Sequence, residues 1–92
     1  MKPEKKSIRV VIKNKLGLHA RAAATLVKLT KKFVSNISIE KNGQTVNGKS
    51  IMGVMMLAAA KGHEIVVTAG GEDADEALEK INNLIENKFG EE

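Results

Sequence analysis

His19 and Arg21 are the two side chains whose type and spacing most suggest chemistry. They stand in the segment Gly17-Leu18-His19-Ala20-Arg21, where a helical pattern begins. A neutral imidazole nitrogen is a competent nucleophile for covalent group transfer, phosphoryl transfer included. The first N–H groups of a helix, here those of Ala20, Arg21 and Ala22, lack partners within the helix and carry partial positive charge. An anion attached to His19 would therefore meet donors already in place. The Arg21 guanidinium presents a planar fork that suits phosphate oxygens. On these residues alone, a histidine that merely caps a helix explains the pattern as well as a nucleophile does, because short motifs match by chance.

The elements that must position this segment follow from periodicity. Ser7 to Ile12 is β-branched and partly alternating, which predicts a first strand. A loop over Asn14 to Leu18 carries a glycine for a tight bend. From Ala20, the spacing of Ala22, Leu26, Leu29 and Phe33 predicts a first helix, favoured further by three consecutive alanines. Asn36 to Glu40 alternates as a second strand. Asn42-Gly43 signals a hairpin into a third strand over Gln44 to Val46. Ser50 reads as the N-cap of a short second helix from Ile51, ending before Gly62. Glu64 to Ala69 is a fourth strand. Asp73 and Glu76 form a capping-box variant that opens a third helix. That helix carries an apolar stripe of Ala74, Ala77, Leu78, Ile81, Leu84 and Ile85 and closes at Gly90. The order β-α-β-β-α-β-α predicts an α+β open-faced sandwich, with a four-stranded antiparallel sheet and three helices on one face.

Length and composition bound the rest. A chain of 92 residues predicts one domain over 1–92, with 1–6 and 90–92 as frayed ends. With no cysteine and two histidines, neither a disulfide nor a structural metal site is expected, and no cofactor is implied. No apolar run is long enough to span a bilayer, and no signal-like apolar segment follows the charged start. A cytoplasmic protein is expected. The charge is lopsided: the first 49 residues carry 12 Lys or Arg against 2 acids, the remainder 3 against 9. A basic half raises the question of nucleic acid. The chain has no Trp or Tyr, however, and its two Phe are isolated, so stacking platforms for bases are lacking. The basic half reads instead as a docking field for an acidic protein or for phosphate. Gly43 to Ser50 matches the P-loop letters G-x-x-x-x-G-K-S. It is discounted because Asn42-Gly43 belongs to the hairpin and a P-loop domain needs a larger parallel sheet. His63 reads as a solvent-exposed loop residue.

Two separate motifs then bear on function. Gly17-Leu18-His19-Ala20-Arg21-Ala22-Ala23 resembles the active-site segment G-L-H-A-R-P-A of the histidine-containing phosphocarrier HPr of the bacterial phosphotransferase system, its nitrogen-related branch included. Lys49-Ser50-Ile51-Met52-Gly53-Val54-Met55 resembles that family's regulatory segment, and the similarity spans about Ser7 to Phe89. The resemblance implies a carrier with no small-molecule turnover of its own. Its histidine, matching His19, would accept a phosphoryl group on Nδ1 from enzyme I and pass it to an enzyme IIA component, in sugar uptake or nitrogen-related regulation. It further implies Arg21 and the backbone of Ala20, Arg21 and Ala22 as phosphate support, and Ser50 as a site for HPr kinase/phosphorylase. Ala22 stands where the family usually has proline. Alanine restores one N–H beside the phosphate, so an altered phosphohistidine lifetime is expected.

The second helix adds a docking expectation. Ile51 to Leu57 is apolar around its whole circumference, more than a short helix buries against its own sheet. Val54 and Leu57 are assigned to the core, and Ile51, Met52 and Met55 to a partner face. Two other readings stand beside the carrier: a regulatory binding protein controlled by phosphorylation at Ser50, and a nucleic-acid-binding domain using the basic half. A monomer with no membrane or nucleic-acid partner is expected.

Overall fold

Alternation in four short segments builds the sheet against which everything else packs. In the computed structural model, which describes residues 5–91, the strands are β1 (Lys5–Val11), β2 (Asn36–Lys41), β3 (Gln44–Asn47) and β4 (Glu64–Gly70). They lie in the order β1-β4-β2-β3, every neighbouring pair antiparallel. Ile8 of β1 and Ile39 of β2 both face Val67 of the central strand β4. Val10, Ile37, Ile39, Ile65, Val67 and Ala69 are buried on one face. Ser7, Arg9, Glu40 and Thr68 alternate onto the other, where Ser7 and Thr68 share a 2.7 Å hydrogen bond. This is the period of two expected of an antiparallel sheet with one covered face.

Three helices cover the apolar face: α1 (Ala20–Thr30), α2 (Ile51–Met56) and α3 (Ala74–Glu86). The open-faced α+β sandwich expected from the sequence is the architecture found. Strand β1 starts at Lys5, so Lys5 and Lys6 pair with Gly70 and Ala69 rather than fraying. Residues 1–4 and 92, the remainder of the expected loose ends apart from Gly90 and Glu91, lie outside the described residues.

Three helix ends and one cap differ from expectation, each for a tertiary reason; α3 ends at Glu86, short of Gly90, because the chain turns left-handed at Lys88. Helix α1 ends at Thr30, before Phe33. The Thr30 hydroxyl donates to the carbonyls of Val27 and Gly48, at 3.1 and 2.8 Å, and ties the helix end to the turn after β3. Phe33 is buried all the same, from the following turn. Helix α2 stops at Met56, because Ala58 adopts a left-handed φ of 49°. Asp73 does not cap α3 through its side chain. Its carboxylate reaches across the fold and accepts from the amides of Val34 and Ser35, at 2.9 and 3.0 Å, and from Ser35 Oγ at 2.5 Å. Gly71 makes room for this latch: a Cβ there would fall 2.6 Å from Ser35 Oγ.

The loop between β1 and α1 is the part that aims the site. Gly17 has φ of 69°, a conformation that L side chains disfavour. A Cβ at Gly17 would lie 2.5 Å from the Ala59 carbonyl oxygen and 2.9 Å from Ala60 Cα, both backbone. The next amide, Leu18 N–H, donates to that same Ala59 oxygen at 2.9 Å. Buried Asn14 closes the loop from below, its Nδ2 donating to the Gly17 carbonyl at 2.7 Å.

Two outcomes follow. Gly17→Ala combines left-handed strain with a backbone clash and should cost about 2 kcal/mol, a fall in melting temperature of about 10 °C, read by thermal unfolding. For Asp73, the Ser35 hydroxyl first and then the Val34 amide hold the carboxyl below its ordinary value of 3.8. A depressed carboxylate contributes stability above its unfolded pKa and loses it as pH falls through the folded one. Asp73→Asn should therefore lower the urea midpoint at neutral pH and flatten its decline between about pH 5 and pH 2. An unchanged acid limb in the variant would show that the latch does not titrate with folding.

Candidate functional site

His19 is the N-cap of α1, with φ of −75° and ψ of −179°, and its carbonyl accepts the first helical hydrogen bond, from Ala23 N–H at 2.8 Å. The N–H groups of Ala20, Arg21 and Ala22 thus open toward the His19 side, as the sequence suggested. No acidic residue occupies the first turn to neutralise them. Ala20 and Arg21 are exposed, while Ala22 is fully buried. The His19 ring does not cap these amides, and its Nδ1 has no hydrogen-bond partner among the described residues.

The other ring nitrogen is engaged. Glu91 Oε2 lies 2.6 Å from His19 Nε2, and Glu91 Oε1 accepts from Asn14 Nδ2 at 3.0 Å. Both Glu91 and His19 are mostly sheltered, at 17% and 28% side-chain exposure. The Asn14 bond first, then the His19 bond and the nearby positive charges of His19 and Arg21, hold the Glu91 carboxyl below its ordinary value; partial burial opposes them. Glu91, read from the sequence as part of a loose tail, is instead a partner of the histidine. The reason lies in the chain path after α3. Lys88, Phe89 and Gly90 form a 3-10 turn in which all three have positive φ, between 57° and 75°. That turn buries Phe89 and swings Glu91 back over α1. A cleft remains, lined by Leu16, His19, Ala20, Arg21 and Phe89 to Glu91.

Asn14 and Glu91 are the site residues that sequence reasoning missed. Asn14 looked like an ordinary loop residue, and Glu91 lies 72 positions from His19. Asn14, three residues past the end of β1, carries no local pattern that signals its role.

Ser50 caps α2 as expected: its Oγ accepts from Gly53 N–H at 3.0 Å. Ile51, Met52 and Met55 are exposed, Met52 at 71%, and Val54 and Leu57 are buried, matching the assignment from composition. Met56, which was not assigned, is exposed as well. Helices α1 and α2 pack side by side, so this apolar surface lies on the helix next to that of His19. His63 is exposed but not idle, since its Nδ1 accepts from Ala60 N–H at 3.0 Å within the turn before β4. Gln44 to Asn47, the middle of the P-loop-like letters, is strand β3. Among the described residues there is no group of three or more His, Asp or Glu able to hold a metal, and no helix is long and apolar enough to cross a membrane.

Comparison with known proteins agrees with this geometry. Residues 6–87 match the family model described as the PTS HPr component phosphorylation site. The phosphocarrier protein HPr of Cupriavidus necator is 51% identical over 78 residues, covering 85% of this chain and 88% of that protein. That of Xylella fastidiosa strain 9a5c is 49% identical over 83 residues, covering 90% and 93%. A crystal structure of HPr from Thermoanaerobacter tengcongensis superposes with a TM-score of 0.91 at 48% identity, over 95% of this chain and 98% of that one. A histidine at the N-cap of a helix, an exposed arginine two residues on and a sandwich that superposes on solved relatives all lead to one assignment: the chain belongs to the HPr family of phosphocarrier proteins.

Proposed function

We propose that His19 is the residue on which this HPr carries its phosphoryl group, taking it through Nδ1 from enzyme I and giving it to an enzyme IIA component. The observation that carries this reading is the pairing of an unpartnered Nδ1 with the open amides of Ala20, Arg21 and Ala22 at a helix end free of acids. Donors aimed at an anion hold it without reorganising, and a few exposed ones stabilise it without trapping it. Arg21 adds charge and a second set of donors. The group is then bound firmly enough to survive diffusion and loosely enough to leave. Phosphoryl transfer depends mostly on such positioning and charge stabilisation, so the carrier needs no cofactor.

The exposed apolar residues Ile51, Met52 and Met55, joined by Met56, form the docking surface beside the phosphoryl site. Methionines there adapt to more than one partner, which a carrier shuttling between two enzymes requires. The basic first half supplies a field that steers acidic partners. Acting as a cytoplasmic monomer, the protein needs neither membrane nor nucleic acid for this exchange.

Ser50 supports a second, regulatory reading. A phosphate on its Oγ would sit at the N-terminus of α2, where the helix dipole tolerates it, but would place a dianion at the edge of the apolar docking surface. An HPr kinase/phosphorylase would be the source.

Incubation with enzyme I and phosphoenolpyruvate should put one acid-labile phosphate on the wild-type chain and none on His19→Ala, by mass spectrometry. Phosphate retained in that variant would move the site elsewhere. Arg21→Ala should slow acceptance about tenfold. Ala22→Pro, which deletes one of three amide donors, should change the hydrolysis rate of the phosphoprotein. Ser50→Ala should cost about 1 kcal/mol through loss of the cap, whereas Ser50→Asp should keep the cap and weaken acceptance from enzyme I. Equal acceptance by Ser50→Asp and wild type would remove the regulatory reading.

A further inference from the structure

Asn14 provides the starting point. It is fully buried, and its two amide hydrogens are both used, one on the Gly17 carbonyl at 2.7 Å and one on Glu91 Oε1 at 3.0 Å. Its Oδ1 is buried with no hydrogen-bond partner among the described residues. An unsatisfied buried acceptor costs on the order of 1–3 kcal/mol. Turning the amide over would not relieve it, because Oδ1 would then face a carbonyl and a carboxylate. Asn14 is therefore fixed as a donor, and what it fixes is Glu91.

Glu91 is held from a second direction. Three consecutive left-handed residues are a costly path for a chain, and only glycine takes that conformation freely. Lys88 and Phe89 adopt it nonetheless, with Phe89 anchored in the core at 6% exposure and Glu91 N–H bonded to the Lys88 carbonyl at 2.9 Å. The turn is thus specified by its neighbours, and it delivers one carboxylate to one ring nitrogen.

The consequence for the ring is chemical. A carboxylate kept ionised accepts hydrogen bonds and donates none. The 2.6 Å contact therefore requires that Nε2 carry the proton. In the neutral ring, Nδ1 then holds the lone pair.

We propose that Glu91, oriented by Asn14, is a positioning residue that fixes the Nε2–H tautomer of His19 and so presents Nδ1 as the nucleophile. This inference rests on His19 being the phosphoacceptor. In the step itself, the Nδ1 lone pair forms the N–P bond as the bond from phosphorus to the donor enzyme's leaving atom breaks, and that electron pair stays with the donor. Nε2 keeps its proton throughout. The ring becomes a phosphoimidazolium whose positive charge faces the Glu91 carboxylate. On transfer onward, the N–P bond breaks and its pair returns to Nδ1. No proton need be found or discarded in either direction, so the carrier can be loaded and unloaded without a base of its own.

The test separates tautomer from transfer. In the full chain with 15N-labelled histidine, two-bond proton–nitrogen correlations above the ring's titration report which nitrogen of His19 is protonated. Wild type should show Nε2–H with Nδ1 bare. Glu91→Ala should relax the tautomer ratio about five- to tenfold toward that of free imidazole, and should slow acceptance from phosphorylated enzyme I by a similar factor. Glu91→Gln has one carbonyl oxygen for two donors; with that oxygen kept on Asn14 Nδ2, its NH2 faces Nε2 and donates to it, so this variant should lose or reverse the tautomer bias and recover none of the rate. A wild-type tautomer ratio and rate in Glu91→Ala would overturn the positioning role while leaving His19 as the phosphoacceptor. Phosphorylation surviving in His19→Ala would overturn His19 as the phosphoacceptor, and this inference with it.

Discussion

Leu18 N–H on the Ala59 carbonyl, reached through the left-handed Gly17, is the constraint on which the site depends. It joins the loop that ends β1 to the loop that enters β4, two strands that are already neighbours in the sheet. Because that junction is backbone to backbone, His19 is placed by the fold and not by its own side-chain contacts. The helix that follows then starts at one fixed point, with His19 as its N-cap. A side chain at Gly17 has no room, since the Ala59 oxygen occupies the position its Cβ would take.

The distribution of charge follows the same logic. Basic residues dominate the first half of the sequence and acids the second, yet the fold keeps acids away from the first turn of α1. The one carboxylate brought to the histidine, that of Glu91, arrives on the Nε2 side. A carboxylate among the amides would compete with a phosphate for the same donors and repel it. On the opposite nitrogen it accepts a proton's hydrogen bond and leaves the amides free. Most of the remaining ion pairs, such as Lys6 with Asp75 and Arg9 with Glu64, are exposed and contribute little to stability. Burial of the sheet face under three helices and the Asp73 latch do more to hold the fold.

Helix α2 and its C-cap Leu57 show how a small domain separates core from surface within seven residues. Val54 and Leu57 fill the space above the sheet, while Ile51, Met52, Met55 and Met56 stay in solvent. An apolar surface of this kind costs solubility unless a partner covers it. It lies on the helix packed against α1, whose N-terminus carries His19, and Ser50 caps the start of that helix.

The sequence by itself determined the element order, the sheet's buried face, the helix end at His19 and the cap at Ser50. Each of these is a local pattern: alternation, a 3.6-residue period, a hairpin dipeptide, a hydroxyl before an apolar run. The two motifs around His19 and Ser50 named the family for the same reason, being contiguous in the chain. Only the tertiary structure decided what Asp73, Asn14 and Glu91 do. Asp73 looked like a cap and became a latch to Ser35, 38 residues away. Glu91 looked like a frayed end and became the partner of His19, 72 residues away. Such pairs leave no periodicity to read. They exist because the path of the chain, above all the left-handed turn at Lys88 to Gly90, brings polar groups together where water is partly excluded and hydrogen bonds count for most.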